Sequence, residues 1–127
     1  MDNGKLTMDS KDNVLKKKSY SFALRIVKLY KFLVAEHKEF VLSKQVLRSG
    51  TSIGANIVEA GEAQSKADFI HKLSISLKEA TETQYWLELL HDGEFINADA
   101  ASSMINDCRE LQRMLTSSIK TAKSRLK

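Results

Sequence analysis

Proline is absent from all 127 residues, and glycine occurs only five times. Those two residues make tight turns possible, and a strand-rich fold of this size turns often. Long helices joined by short connections do not need them. The apolar residues agree. Over most of the chain they recur at steps of three and four, the spacing that places side chains on one face of an α-helix. A chain of this length is one domain that can bury a core without disulfides or metals. The pattern predicts an all-α fold.

Four helices are expected. The first runs from about Asp12 to Glu36, with Phe22, Ile26, Leu29 and Leu33 in one row and Ala23, Val27, Tyr30 and Val34 beside it. Residues 1–11 carry no apolar period and read as a flexible tail, leaving residues 12–127 as the bundle. His37 to Phe40 form a connection, and Ser43 is the expected N-cap of the second helix, since its hydroxyl can accept from a free backbone N–H. That helix turns Val46, Ile53 and Ile57 inward and stops near Gly61. Gly50 and Gly54 cost an isolated helix about 1 kcal/mol each, a loss that close approach of a neighbour can offset. Ser65 and Asp68 have capping-box spacing and open a third helix that ends near His91. Phe69, Leu73, Leu77, Ala80 and Leu87 form its main row. Ile75, Trp86 and Leu89 fall on another face, which suggests contact with a second subunit rather than with water. Asn97 caps the last helix, whose row is Ala101, Ile105, Cys108, Leu111, Leu115, Ile119, Ala122 and Leu126. Four stripes and short connections are satisfied most simply by an antiparallel up-down four-helix bundle.

The net charge of +4 hides an asymmetry. Residues 1–48 carry eleven Lys/Arg against five Asp/Glu, residues 49–100 three against nine, and residues 101–127 six against two. Basic outer helices and more acidic inner ones are implied. Lys16, Lys17, Lys18, Arg25 and Lys28 on the first helix, with Arg109, Arg113, Lys120, Lys123 and Arg125 on the last, are candidate phosphate contacts. From charge alone, a solvated helix surface is the simpler reading of them. No aromatic residues alternate with these charges in the sequence, which argues against sequence-specific RNA recognition.

A reactive cluster is not legible. Glu88 and His91 have the Glu-x-x-His spacing of di-iron bundles, but Asp68 and His71, the nearest second pair, fall on the same helix, and two pairs on one helix cannot surround a metal pair. Cys108, the only cysteine, lies in an apolar row as a small hydrophobe. No phosphate loop, zinc spacing or nucleophile elbow occurs. The expectation is a protein that is not an enzyme and holds no metal or cofactor. No apolar run approaches the roughly 20 residues that span a bilayer, and the start lacks the apolar stretch of a signal peptide, so a cytoplasmic, non-membrane protein is expected. One polar set stands out. Arg48, Ser52, Asn56 and Glu59 follow one side of the second helix, either as a network that fixes helix register or as a small binding pocket.

Those residues also carry a likeness. The stretch Gln45 to Ala60, with Arg48-Ser49, Ser52-Ile53, Asn56-Ile57 and Glu59, resembles the signature of the 23S ribosomal RNA intervening-sequence protein family of bacteria. Asp68 to Ala80 and Glu82 to Leu87 are similar to that family's third helix, and Ser19 to Ala23 to its first. Val58 and Ala60 depart from the more usual Ala and Gly. The resemblance implies four long helices, a homopentamer arranged as a ring, and no assigned enzymatic activity. The accessory variability determinant of diversity-generating retroelements is similar in fold, and there a basic pentamer associates with a reverse transcriptase and nucleic acid. By that likeness, self-association with RNA or DNA as partner is expected here. A scaffold that binds protein without nucleic acid is the alternative.

Overall fold

The computed structural model describes residues 10–126, so most of the tail expected at residues 1–11 lies outside it. Four α-helices, α1 (Ser10–His37), α2 (Leu42–Ala60), α3 (Lys66–Asp92) and α4 (Ala98–Ser124), account for nearly all of the described chain, with no strand among the described residues. The helices form a bundle. α1 packs on α2 and α4, α3 packs on the same two, and the α1–α4 contact is the sparsest. Paired positions fix the register of that sparse seam: Asp12 meets Ser118, and Arg25 meets Asp107.

The buried rows explain why a bundle forms. In α1 the buried positions are Asp12, Leu15, Ser19, Phe22, Ile26, Leu29 and Leu33. In α3 they are Phe69, Leu73, Ser76, Ala80, Thr83, Leu87 and Leu90. Steps of three and four alternate without a break, and Ala101, Met104, Cys108, Leu111, Leu115, Ser118 and Ala122 repeat the alternation in α4. A mean period of 3.5 residues keeps one narrow seam facing its neighbours along the whole helix, as in coiled coils. Small polar residues occupy several seam positions. Ser76 Oγ donates to the Ile53 carbonyl at 2.8 Å, joining α3 to α2. Thr83 Oγ1 lies 2.7 Å from the Glu79 carbonyl and 2.9 Å from Ser49 Oγ. With one proton, Thr83 serves both contacts by donating to the carbonyl and accepting from Ser49.

Close approach of α1 and α2 depends on glycine. A Cβ built on Gly50 would stand 2.7 Å from Ile26 Cγ1, and one on Gly54 3.2 Å from Ser19 Oγ. Ile26 therefore sits directly on the α2 backbone, and the helix-propensity loss at Gly50 is offset by that packing.

Helix ends bring one correction. Ser43 is not the N-cap of α2. It lies inside the helix, buried, and makes no side-chain cap hydrogen bond to a backbone N–H. Glu39 performs the capping instead: its carboxylate accepts from the backbone N–H of Ser43 at 2.6 Å, Leu42 at 3.0 Å and Val41 at 3.2 Å. Burial by itself would raise the Glu39 pKa, but the three backbone donors hold it below the ordinary glutamate value. A carboxylate reaches these amides from the preceding loop, whereas a serine already in the helix would have to reach backwards. Ser65 and Asn97 cap as expected, accepting from Asp68 N at 3.0 Å and Ala100 N at 2.8 Å. α3 closes with Glu94 in the left-handed region, φ 69°, while Phe95 N–H donates to the Leu90 carbonyl at 2.9 Å.

Seven residues read into the apolar rows lie outside the core: Val27 is exposed, Leu126 is exposed beyond the end of α4, and Ala23, Tyr30, Val34, Leu77 and Ile105 are only half-buried. An ideal 3.6-residue row drifts off a 3.5-residue seam, which is why the largest apolar residue nearby is not always the innermost one.

The Ile26–Gly50 contact makes a prediction with a counterintuitive sign. Gly50→Ala should lower the free energy of unfolding in urea by about 1–3 kcal/mol, although alanine favours helix. Ile26→Val in the same chain should recover part of the loss. A Gly50→Ala protein as stable as the parent would mean that the helices are not held this close.

Candidate nucleic-acid interface

Eight of the ten candidate cations lie on three faces, Lys123 and Arg125 lining none of them. On the α1–α4 seam, Lys18 pairs with Glu110 at 3.3 Å and Arg25 with Asp107 at 2.6 Å. Lys11 adds a hydrogen bond to Ser117, and Ser118 donates to Asp12 at 2.9 Å. Polar bridges of this kind tie together the two helices with the least packing between them. Half-exposed pairs add at most about 1 kcal/mol each, so their effect is on register more than on stability.

The side chains of the other eight, Lys16, Lys17, Lys28, Arg109, Arg113, Lys120, Lys123 and Arg125, meet no carboxylate within ion-pair distance among the described residues. Arg109, Arg113 and Lys120 line one groove between α3 and α4, about 720 Å³ in volume, together with Gln84, Gln112 and Thr116. Gln112 Nε2 donates to Gln84 Oε1 at 2.8 Å across the groove floor. This surface is cationic, lined by neutral hydrogen-bonding groups, and open to solvent. Lys16 and Lys17 lie on a different groove, between α1 and α2, with Tyr20, Ala55 and Val58. Lys28 and Arg25 border a third, beside Phe32 and Phe95. The sequence could not show that grouping, because Phe95 comes from the α3–α4 connection.

The polar set on α2 divides too. Arg48 Nη2 donates to Glu82 Oε2 at 2.7 Å, and its Nη1 stands 3.6 Å from Glu79 Oε1. Glu59 accepts from Lys72 Nζ at 2.9 Å, a hydrogen bond that lifts the Lys72 ammonium above the ordinary lysine range. Ser52 and Asn56 bond carbonyls of their own helix, those of Arg48 and Ser52 respectively. Arg48 and Glu59 are thus two points, about three turns apart, at which α2 is tied to α3. Trp86 Nε1 also donates to Glu82 Oε2, at 3.2 Å, and the indole lies edge-on to Tyr85.

Of the residues expected at a subunit contact, Ile75 is half-buried, Trp86 is half-buried and packed against the bundle's own core, and Leu89 is exposed. Tyr85 adds a further 57% exposed aromatic surface. Among the described residues no group of three His, Cys, Asp or Glu is placed to hold a metal, and no helix is long and apolar enough to cross a membrane.

A bundle that is all-helical over the described residues, with cations and aromatic rings on its outer faces, defines the class of molecule. The comparisons with known proteins place it within that class. The model of the 23S rRNA-intervening sequence protein family matches residues 11–117, and the chain belongs to that family. A crystal structure from Bacteroides thetaiotaomicron, described as a protein with unknown function from the S23 ribosomal protein family and determined at 1.70 Å resolution, is 64% identical. The alignment covers 87% of this chain and 98% of that one, with a TM-score of 0.86. No protein of curated function matches significantly.

Cys108 is fully buried, and its Sγ donates to the Ala80 carbonyl at 3.1 Å. Burial pushes its thiol up to about 11. The thiolate is the reactive form, so at neutral pH the native protein should resist a thiol reagent such as iodoacetamide and react promptly in urea. Rapid labelling of the native fold would contradict this burial.

Proposed function

We propose that this protein is a non-enzymatic cytoplasmic assembly module that binds nucleic acid through phosphate contacts. The observation that carries the reading is the set of eight cations without carboxylate partners among the described residues, three of them converging on the α3–α4 groove. An arginine or lysine already neutralised by an acid contributes little to phosphate binding, whereas an unpaired one releases a counterion from the nucleic acid when it docks. Arg109, Arg113 and Lys120 are the primary contacts. Lys16, Lys17, Lys28, Lys123 and Arg125 extend the field. None reads bases in a groove in this scheme.

The helices run up and down in an antiparallel bundle, a reading supported by the pairing of Asp12 with Ser118 and of Arg25 with Asp107. Copies associate into a ring, taken as a homopentamer from the family likeness. Two faces support association. The α1–α2 face combines Tyr20, Leu24 and Val58 with Lys16 and Lys17, all exposed. The outer α3 face combines Tyr85 and Leu89 with Glu88 and Asp92. Apolar surface on both, with opposite charge, suits a head-to-tail contact, the geometry that closes rings. A ring would multiply a weak phosphate affinity by avidity.

The same exposed aromatic surface on α3 favours the second reading, a scaffold that engages a protein partner without nucleic acid. Binding measured across salt separates the two. Affinity for RNA or DNA should fall steeply as salt rises, and the combined change Arg109→Glu, Arg113→Glu, Lys120→Glu should weaken it at least about tenfold and flatten the dependence. Affinity insensitive to salt, or unaffected by the triple change, would remove phosphate contact from the account.

A further inference from the structure

The third groove lies on the α1–α4 side and has the chemistry of a nucleotide. It measures about 820 Å³, within the range of small-ligand sites, and its apolar floor includes Leu29 and Met104, both buried. Arg25, Lys28 and Phe32 occupy successive turns on one side of α1, so two cations and an aromatic ring project over the same strip of surface. Phe95 faces them from the α3–α4 connection. His37 holds the two rings in place, edge-on to Phe32 at 5.3 Å and to Phe95 at 5.4 Å between centroids. The core does not claim Phe32, which stays 43% exposed. Lys28 has no carboxylate partner among the described residues, and Arg25 gives only one of its two terminal nitrogens to Asp107. On the opposite rim stands Glu94, held there by its left-handed backbone.

From this arrangement the geometry points to a subsite for one nucleotide of a single-stranded nucleic acid, the base stacking on Phe32 and Phe95 and the phosphate lying on Lys28, the cation there that no carboxylate among the described residues neutralises. The inference rests on the nucleic-acid reading above and narrows its ligand from any polyanion to a strand with unpaired bases. Stacking needs an accessible base face, which a duplex does not offer, and it tolerates any base. Glu94 repels a phosphate from the loop side, so the strand is oriented with its backbone toward α1. Both cations were read from the sequence as phosphate contacts, but the rings that make the site selective come together only in the fold.

The test compares fluorescence anisotropy of a labelled single-stranded oligonucleotide, as RNA and as DNA, with that of the duplex of the same sequence, across salt. The single strands of both kinds should bind more tightly than the duplex. Phe32→Ala should weaken single-strand binding by about 5- to 100-fold with little change in salt dependence, since it removes stacking and no charge. Phe32→Leu, which keeps apolar bulk and removes the ring, should weaken it comparably and guards against a folding defect in the alanine protein. Lys28→Ala should lower the slope of log affinity against log salt by about 0.7. If the duplex binds as tightly as the single strand, or both Phe32 variants bind as the parent does, this subsite is overturned. The phosphate reading then stands provided the α3–α4 charge reversal still weakens binding. A parent protein that binds neither single strand nor duplex overturns both.

Discussion

Everything in the bundle depends on how closely α1 and α2 can approach, and that distance is set by Ile26 resting on the bare backbone of Gly50. A side chain at Gly50 would push the helices apart and carry α3 with α2, since α3 is joined to α2 by the Ser76 and Thr83 hydroxyls and by the Arg48 and Glu59 ion pairs. These hydroxyls are small enough to sit in a tight seam and polar enough to need the partners they find there. A tight α1–α2–α3 arrangement leaves α4 held firmly by α3 and lightly by α1. The light contact is where polar bridges replace packing and where the Phe32 groove lies.

Much of the fold was legible from residue spacing. Long apolar rows broken at His37–Phe40, at Gly61 and at Asp92–Glu94 locate the helices, because few other residues in a proline-free chain can interrupt them. Ser65 and Asn97 were readable as caps from chemistry and position alone. The α2 cap was not, since a glutamate folding back from a loop leaves no local signature comparable to a serine beside an apolar run. Ser19, Ser49, Ser76, Thr83 and Ser118 were missed as core because an apolar row was sought, and those positions continue the three-four alternation in polar residues. Extending the heptad through serine and threonine would have found them.

The candidate surface was legible in part. Net charge identified which helices are basic, but only the fold shows that Lys18 and Arg25 are paired across the bundle and that Arg109, Arg113 and Lys120 share a groove. Local sequence contains no contact between Phe95 and α1, so the nearness of aromatic rings to Lys28 could not be read from it. Membership of the 23S rRNA-intervening sequence protein family, shown over residues 11–117, agrees with the fold, and the 64% identical structure from Bacteroides thetaiotaomicron is itself of unknown function. The functional reading therefore stands on this chain's own charges and exposed rings.

The link between fold and proposed function is that a seam only one stripe wide leaves each helix an outer face, and two of those faces are apolar with opposite charge. Multi-angle light scattering of the nuclease-treated protein at micromolar concentration tests that link directly. The account predicts a particle several times the 14.3 kDa chain mass. A species of single-chain mass under those conditions would contradict it, because Tyr20, Leu24, Tyr85 and Leu89 would then be surfaces that water alone covers.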